Sequence, residues 1–143
     1  MIQLIPGIQS TASALTAERI RMEVVSQNIA NANTTRGLDG KPFQRQQVVF
    51  ENVLANQQPG DLPGSGIQQV RIARIEKDQR PPRLIYSPGH PDANSNGMVA
   101  VPDINIHEEM ADMITSSRAF EANLAVVKTS RTLAQQTLAI GRH

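Results

Sequence analysis

The sequence predicts an α+β chain in which two long terminal helices pair antiparallel, in the manner of a coiled coil, around a small β-rich insert. Three observations carry this. Apolar residues recur at helical spacing near both ends, Gly and Pro clusters punctuate the middle, and short apolar runs survive between those breaks. On this reading residues 1–35 and 104–143 form one discontinuous helical unit, and residues 36–103 form the insert.

The first helix is expected between Ile8 and Asn33, after Pro6 and Gly7. Ile8, Ala12, Leu15, Met22, Val25, Ile29 and Ala32 fall three, four or seven apart and share one stripe. At 1.5 Å per residue such a helix is about 39 Å long. It should close in the run Asn31 to Gly37, where Asn and Gly accept the left-handed conformation that ends helices.

The insert carries Pro59-Gly60, Pro63-Gly64, Pro81-Pro82 and Pro88-Gly89, which exclude long helices. Strands are expected at Val48 to Phe50, Ile67 to Ile75, Leu84 to Tyr86 and Met98 to Val101. Asn56 to Gly66, polar and rich in Gly and Pro, reads as a mobile loop.

The second helix shows two columns that repeat every seven residues. One reads Met110, Ser117, Leu124, Arg131, Leu138; the other reads Ile106, Met113, Phe120, Val127, Ala134. Together they predict a seam with polar defects at Ser117 and Arg131. Pro102 argues against an earlier start, and Asn105 with Glu108 three residues on forms a capping pair. Apolar flanks, including Ile20 and Val24 on the first helix and Ile114 and Val126 on the second, are expected to stay exposed until neighbouring subunits cover them.

Composition supports this picture of an incomplete fold. Hydrophobic residues are 39% of the chain and aromatics 3%, too little for a deep private core. The formal net charge is +1, without charge runs, so nucleic acid is not an expected partner. The absence of cysteine removes disulfides and thiolate chemistry. No segment approaches the roughly 20 apolar residues needed to span a bilayer, so no membrane insertion is expected. Met1 to Ser10 lack the basic start and apolar run of a cleaved signal.

No catalytic constellation or cofactor motif emerges. His90, His107 and His143 stand far apart, and the sequence His107-Glu108-Glu109-Met110-Ala111 lacks the second His of the zinc-protease pattern. Asp92, Asn94, Asn96 and Asp103 approximate the oxygen spacing of a calcium loop. A calcium-responsive binding module is therefore the alternative function. Pro91 and Pro102 flank that loop and no entering helix precedes it, which favours a simple turn. Arg131 in the seam either pairs with Glu18 or Glu23 or snorkels to the edge. Met22, Met98, Met110 and Met113 read as adaptable packing.

Two segments resemble a known family. Ser26-Gln27-Asn28-Ile29-Ala30-Asn31-Ala32-Asn33-Thr34 is similar to a motif shared by bacterial flagellar rod and hook proteins. Tyr86 to Ala93, Gly97, Pro102, Glu109-Met110 and Ser117 to Asn123 resemble the proximal-rod members of the basal-body rod proteins. Met98 and Asp103 depart from it, standing where the family often has an aromatic and an Asn.

The resemblance implies a non-enzymatic structural subunit that self-assembles into the proximal rod, the torque-transmitting shaft of the flagellar basal body. It implies type III export without a cleaved signal peptide and assembly in the periplasm. Implied partners are other rod proteins, the basal-body protein joining rod to membrane ring, further copies of the chain, and transiently the export apparatus. It also implies terminal helices that order only on assembly, in keeping with a seam too thin to offset its ordering entropy alone. Asn31 to Thr35 is then a joint between helical layer and insert. The expected assembly interface comprises Ile8, Leu15, Met22, Ile29, Asn31, Asn33, Met110, Met113, Phe120, Leu124, Val127 and Leu138.

Overall fold

The structure, a computed structural model, describes residues 4–37, 39–55 and 67–141. Six elements follow in order: α1 (Leu4–Ala30), β1 (Gln46–Ala55), β2 (Ile67–Lys77), β3 (Arg83–Tyr86), β4 (Met98–Val101) and α2 (Ile106–Ile140). The two-helix frame and the four strands match the sequence expectation, with differences at their ends. The loop expected at Asn56 to Gly66 lies outside the described residues.

Helix α1 begins at Leu4, before the predicted start, and runs through Pro6 and Gly7. The reason is positional. The first four N–H groups of a helix have no intrahelical acceptor, so a proline in the first turn forfeits nothing. At the far end Asn31 N–H still reaches the Gln27 carbonyl at 3.0 Å, and Thr34 N–H closes a turn on Asn31 at 3.0 Å. The predicted stop at the Asn-rich run therefore holds.

Asn105 caps α2 as expected, accepting from the His107 N–H at 3.1 Å. The reciprocal half of the pair differs from a capping box: Glu108 accepts from the Asn105 side-chain amide at 3.0 Å. Glu108 and Glu109 in the first turn complement the helix dipole. With 27 and 35 residues, the helices measure about 40 and 52 Å. Contacts at Arg21–Asp112 and Asn28–Glu109 run in opposite chain directions, so the pair is antiparallel.

Strands β1 and β2 pair antiparallel over their full length, from Gln46↔Lys77 to Ala55↔Ile67. A bulge at Val49/Phe50 leaves Ala73 without a partner and shifts the side-chain phase of β2. Val70, Ile72 and Ile75 thereby share one face despite their uneven spacing, opposite Asn52, Phe50 and Val48. The other face is charged, with Arg71 opposite Glu51 and bonded to it at 3.0 Å. This ribbon lies along α1, as the Val70 N–H bond to Ser13 Oγ (3.2 Å) and the Asn28 bonds to Gln46 mark out.

That placement corrects one flank. Val24 is buried and Ile20 half-buried, because the ribbon covers α1, where the sequence reading had left both exposed. A second ribbon, β3–β4, follows in register Arg83↔Val101 to Tyr86↔Met98. The hydrophobic core is small in both number and size: Ala17, Val24, Val25, Ala32, Val99 and Ile104. The largest fully buried side chains are Glu109, Asn28, Pro102 and Ser116, three of them polar.

Candidate assembly interface

The helix seam is built differently from the two predicted columns. Ile106, Met113, Phe120, Val127 and Ala134 are half-buried along the face toward α1. Met110, Leu124 and Leu138 are 50%, 50% and 71% exposed, and Arg131 is exposed and in none of the described ion pairs. The companion column on the inner face is instead Glu109, Ser116, Asn123 and Ser130, three residues after each member of the first.

Both alternatives satisfy a heptad, since a column may lie three or four residues from its partner. Charge pairing decides between them. On the chosen side Glu109 meets Arg45 Nε at 2.6 Å and Asn28 Nδ2 at 2.9 Å, while Asp112 meets Arg21 at 2.8 Å. Arg21 and Asp112 thus supply the interhelix ion pair that Arg131 with Glu18 or Glu23 had suggested. The apolar column then faces outward.

At 100° per residue, the outward column lies about 70° to one side of the seam's midline. Val126, Leu133 and Ile140 repeat every seven residues about 70° to the other side, at 52%, 52% and 77% exposure. The C-terminal half of α2 is therefore apolar on both shoulders. Ile114 and Val126 remain exposed as the sequence reading expected.

On α1 the interface candidates Ile8, Leu15, Met22 and Ile29 are half-buried, Val25 and Ala32 are buried, and Ala12 is exposed. Asn31 is half-buried and serves the turn: its Nδ2 donates to the Gln27 carbonyl at 2.9 Å, and its Oδ1 accepts from Thr34 Oγ1 at 3.2 Å. Asn33 is exposed.

Sequence reasoning missed the junction of Asn28, Arg45, Gln46 and Glu109. The Asn28 side chain behaves as a strand's peptide group would: Oδ1 accepts the Gln46 N–H at 2.9 Å and Nδ2 donates to the Gln46 carbonyl at 2.7 Å. A seven-residue repeat of polar residues from Glu109 was visible in the sequence, but repeats are sought among apolar residues.

A second tie joins the exit of β2 to the entry of α2. Arg80 reaches Asp78 at 2.7 Å and Asp103 at 3.2 Å, and Arg83 reaches Asp103 at 3.5 Å. Hydrogen bonds from the Arg80 side chain and backbone hold the Asp78 carboxyl below the usual carboxylate range, and the same carboxylate raises Arg80.

Three of the four side chains of the calcium alternative have oxygens engaged within the chain. Asp92 accepts from Thr35 Oγ1 at 2.8 Å and lies 3.6 Å from Arg36. Asn94 Oδ1 accepts the Asn96 and Met98 N–H groups, both at 2.9 Å, and Asp103 faces the two arginines. Among the described residues no three His, Asp or Glu side chains cluster to hold a metal. The segment acts as the β3–β4 turn, with Gly97 at φ +72°.

Comparison with known proteins follows the same division of the chain. Residues 8–36 match the family described as flagella basal body rod protein, and residues 95–140 match the C-terminal family of the flagellar basal body rod FlgEFG proteins. The chain is 42% identical to the flagellar basal-body rod protein FlgC of Borreliella burgdorferi, over 96% of this chain and 97% of that one. It is 40% identical to FlgC of Yersinia enterocolitica, covering 91% and 92% of the two chains. It is 36% identical to FlgC of Bacillus subtilis, covering 95% and 97%.

Proposed function

Because the chain belongs to the FlgC family of flagellar basal-body rod proteins, structural components that assemble with other rod proteins, we propose that its work is done by the shoulders of α2. The observation that carries this is the pair of exposed apolar columns, Leu124 with Leu138 and Val126 with Leu133 and Ile140. Monomers do not keep two such stripes in water, and helices of adjacent subunits are their natural cover. Supporting it, the accessible surface is 10410 Å², against roughly 7,200 Å² for a compact monomer of this mass.

On this reading the subunit occupies the proximal rod and transmits torque through axial helix packing, without turning over a substrate. Residues 1–35 and 104–143 act as the helical rod core, and residues 36–103 as an insert that orients it. The neighbours are other rod proteins, copies of the chain, and the basal-body protein that joins rod to membrane ring. Export through the flagellar type III apparatus delivers it to the periplasm, and α1 and α2 reach full order only on assembly. Asn31 to Thr35 serves as the joint where the chain leaves the helical layer.

The test places charge on one shoulder. Val126→Asp with Leu133→Asp should leave the level of exported chain unchanged yet reduce its recovery in isolated basal bodies at least tenfold and abolish swimming. Phe120→Ala, on the face toward α1, should lower helix content as well. Normal swimming of the double-aspartate strain would remove the shoulders from the interface.

A further inference from the structure

We propose that Asn28, Arg45 and Glu109 form a gate on helix pairing, so that α2 closes onto α1 only when the β1–β2 ribbon is seated. Glu109 is 1% exposed, and both its carboxylate oxygens are matched by groups from outside α2. Arg45 Nε bonds one at 2.6 Å and Asn28 Nδ2 bonds the other at 2.9 Å. Neither donor is held by α2. Asn28 is oriented by its two bonds to Gln46, the first residue of β1.

Arg45 is positioned by the ribbon in turn. Its carbonyl accepts the Asp78 N–H at 2.7 Å, one step beyond the Gln46↔Lys77 pair that ends the ladder. Arg45 therefore reaches Glu109 in its observed place when the strands are zipped to that end. Among the described residues the ribbon packs on α1 and not on α2, so apart from the Arg80–Asp103 tie between their flanking segments, ribbon and α2 are linked through this junction.

Closing α2 with Arg45 unseated would bury a carboxylate against a single amide, which costs more than the thin apolar contact around it returns. Around Glu109 on the face toward α1, Ser116 is polar, Ile106 and Met113 are only half-buried, and the Arg21–Asp112 pair is partly exposed, so compensation is small. Helix pairing is thus conditional on the insert, and subunits with an unzipped ribbon keep α2 open.

The readout rests on the rod reading, which is tested separately by whether the wild-type chain restores swimming to a strain lacking it. Against that control, R45M should reduce swimming and recovery in basal bodies by about tenfold or more. R45M/E109L and R45M/E109Q each remove the buried charge, and at least one should restore recovery to within about twofold. Ile72→Ala, which loosens the ribbon, should lower recovery in the wild-type background and leave the rescued background unaffected, because the gate is gone. Normal assembly of R45M, failure of both rescuing variants, or an equal Ile72→Ala defect in the two backgrounds would each overturn the gate.

Discussion

Ser116 illustrates how single residues set the quality of the seam. It is fully buried on the face toward α1, and among the described residues its Oγ has no hydrogen-bond partner. A hydroxyl so placed costs about 1–3 kcal/mol in lost hydration, so Ser116→Ala should be neutral or stabilising by up to about 1 kcal/mol. Helix content by circular dichroism at fixed concentration measures this, and a clear loss would mean that the hydroxyl has a partner in solution. Asp78 offers the pH test. Its folded pKa is depressed by Arg80, so its contribution is present above the unfolded value and is lost as pH falls through the folded one. Asp78 is half-buried but its partner Arg80 is exposed, and solvent screening keeps the effect small. Asp78→Asn should therefore differ slightly from wild type at neutral pH and converge with it below the usual carboxylate range, as followed by acid titration of the melting curve.

At the scale of elements, the turn between β3 and β4 shows where one residue type is required. Gly97 adopts φ +72°, and a Cβ there would lie 3.0 Å from Tyr86 Cε2 and 3.1 Å from Pro88 Cβ. Gly97→Ala should destabilise this ribbon by about 1–2 kcal/mol, seen as faster amide exchange from Met98 to Val101 with the helices unaffected. The helices themselves are weakly self-sufficient. Hydroxyls of Thr11, Thr16, Thr115, Thr132 and Thr137 bond back to carbonyls four residues earlier, an arrangement of modest helix propensity. Their persistence depends on tertiary cover, and the C-terminal half of α2 has little of it within the described chain.

For the whole molecule, the small core and the long helices give the same expectation. Among the described residues the buried hydrophobic core is six side chains, none larger than Ile, which offset little of the entropy of ordering two helices of about 40 and 52 Å. The dilute chain should show helix content well below the 27 and 35 residues of α1 and α2, rising with concentration or on joining other rod proteins. Circular dichroism across a dilution series checks this. Full helicity with a cooperative melt at low concentration would show that the pair is stable alone.

Much of the fold was legible because it rests on local signals. The α2 cap at Asn105, the stop after Ala30, the strands between proline pairs and the β3–β4 turn each follow from residues within a few positions of one another. The seven-residue spacing from Ile106 to Ala134 likewise placed one column of the seam. The family resemblance was legible in continuous segments at both ends. What only the tertiary structure decided was the second column of the seam. Spacing allows Met110, Leu124 and Leu138 inside or Glu109, Ser116 and Asn123 inside, and hydrophobicity alone favours the first. The second prevails because Arg45 and Asn28, distant in sequence, are brought to Glu109 by a ribbon lying on α1. A buried carboxylate is stable only beside its partners, and their positions are a property of the folded chain.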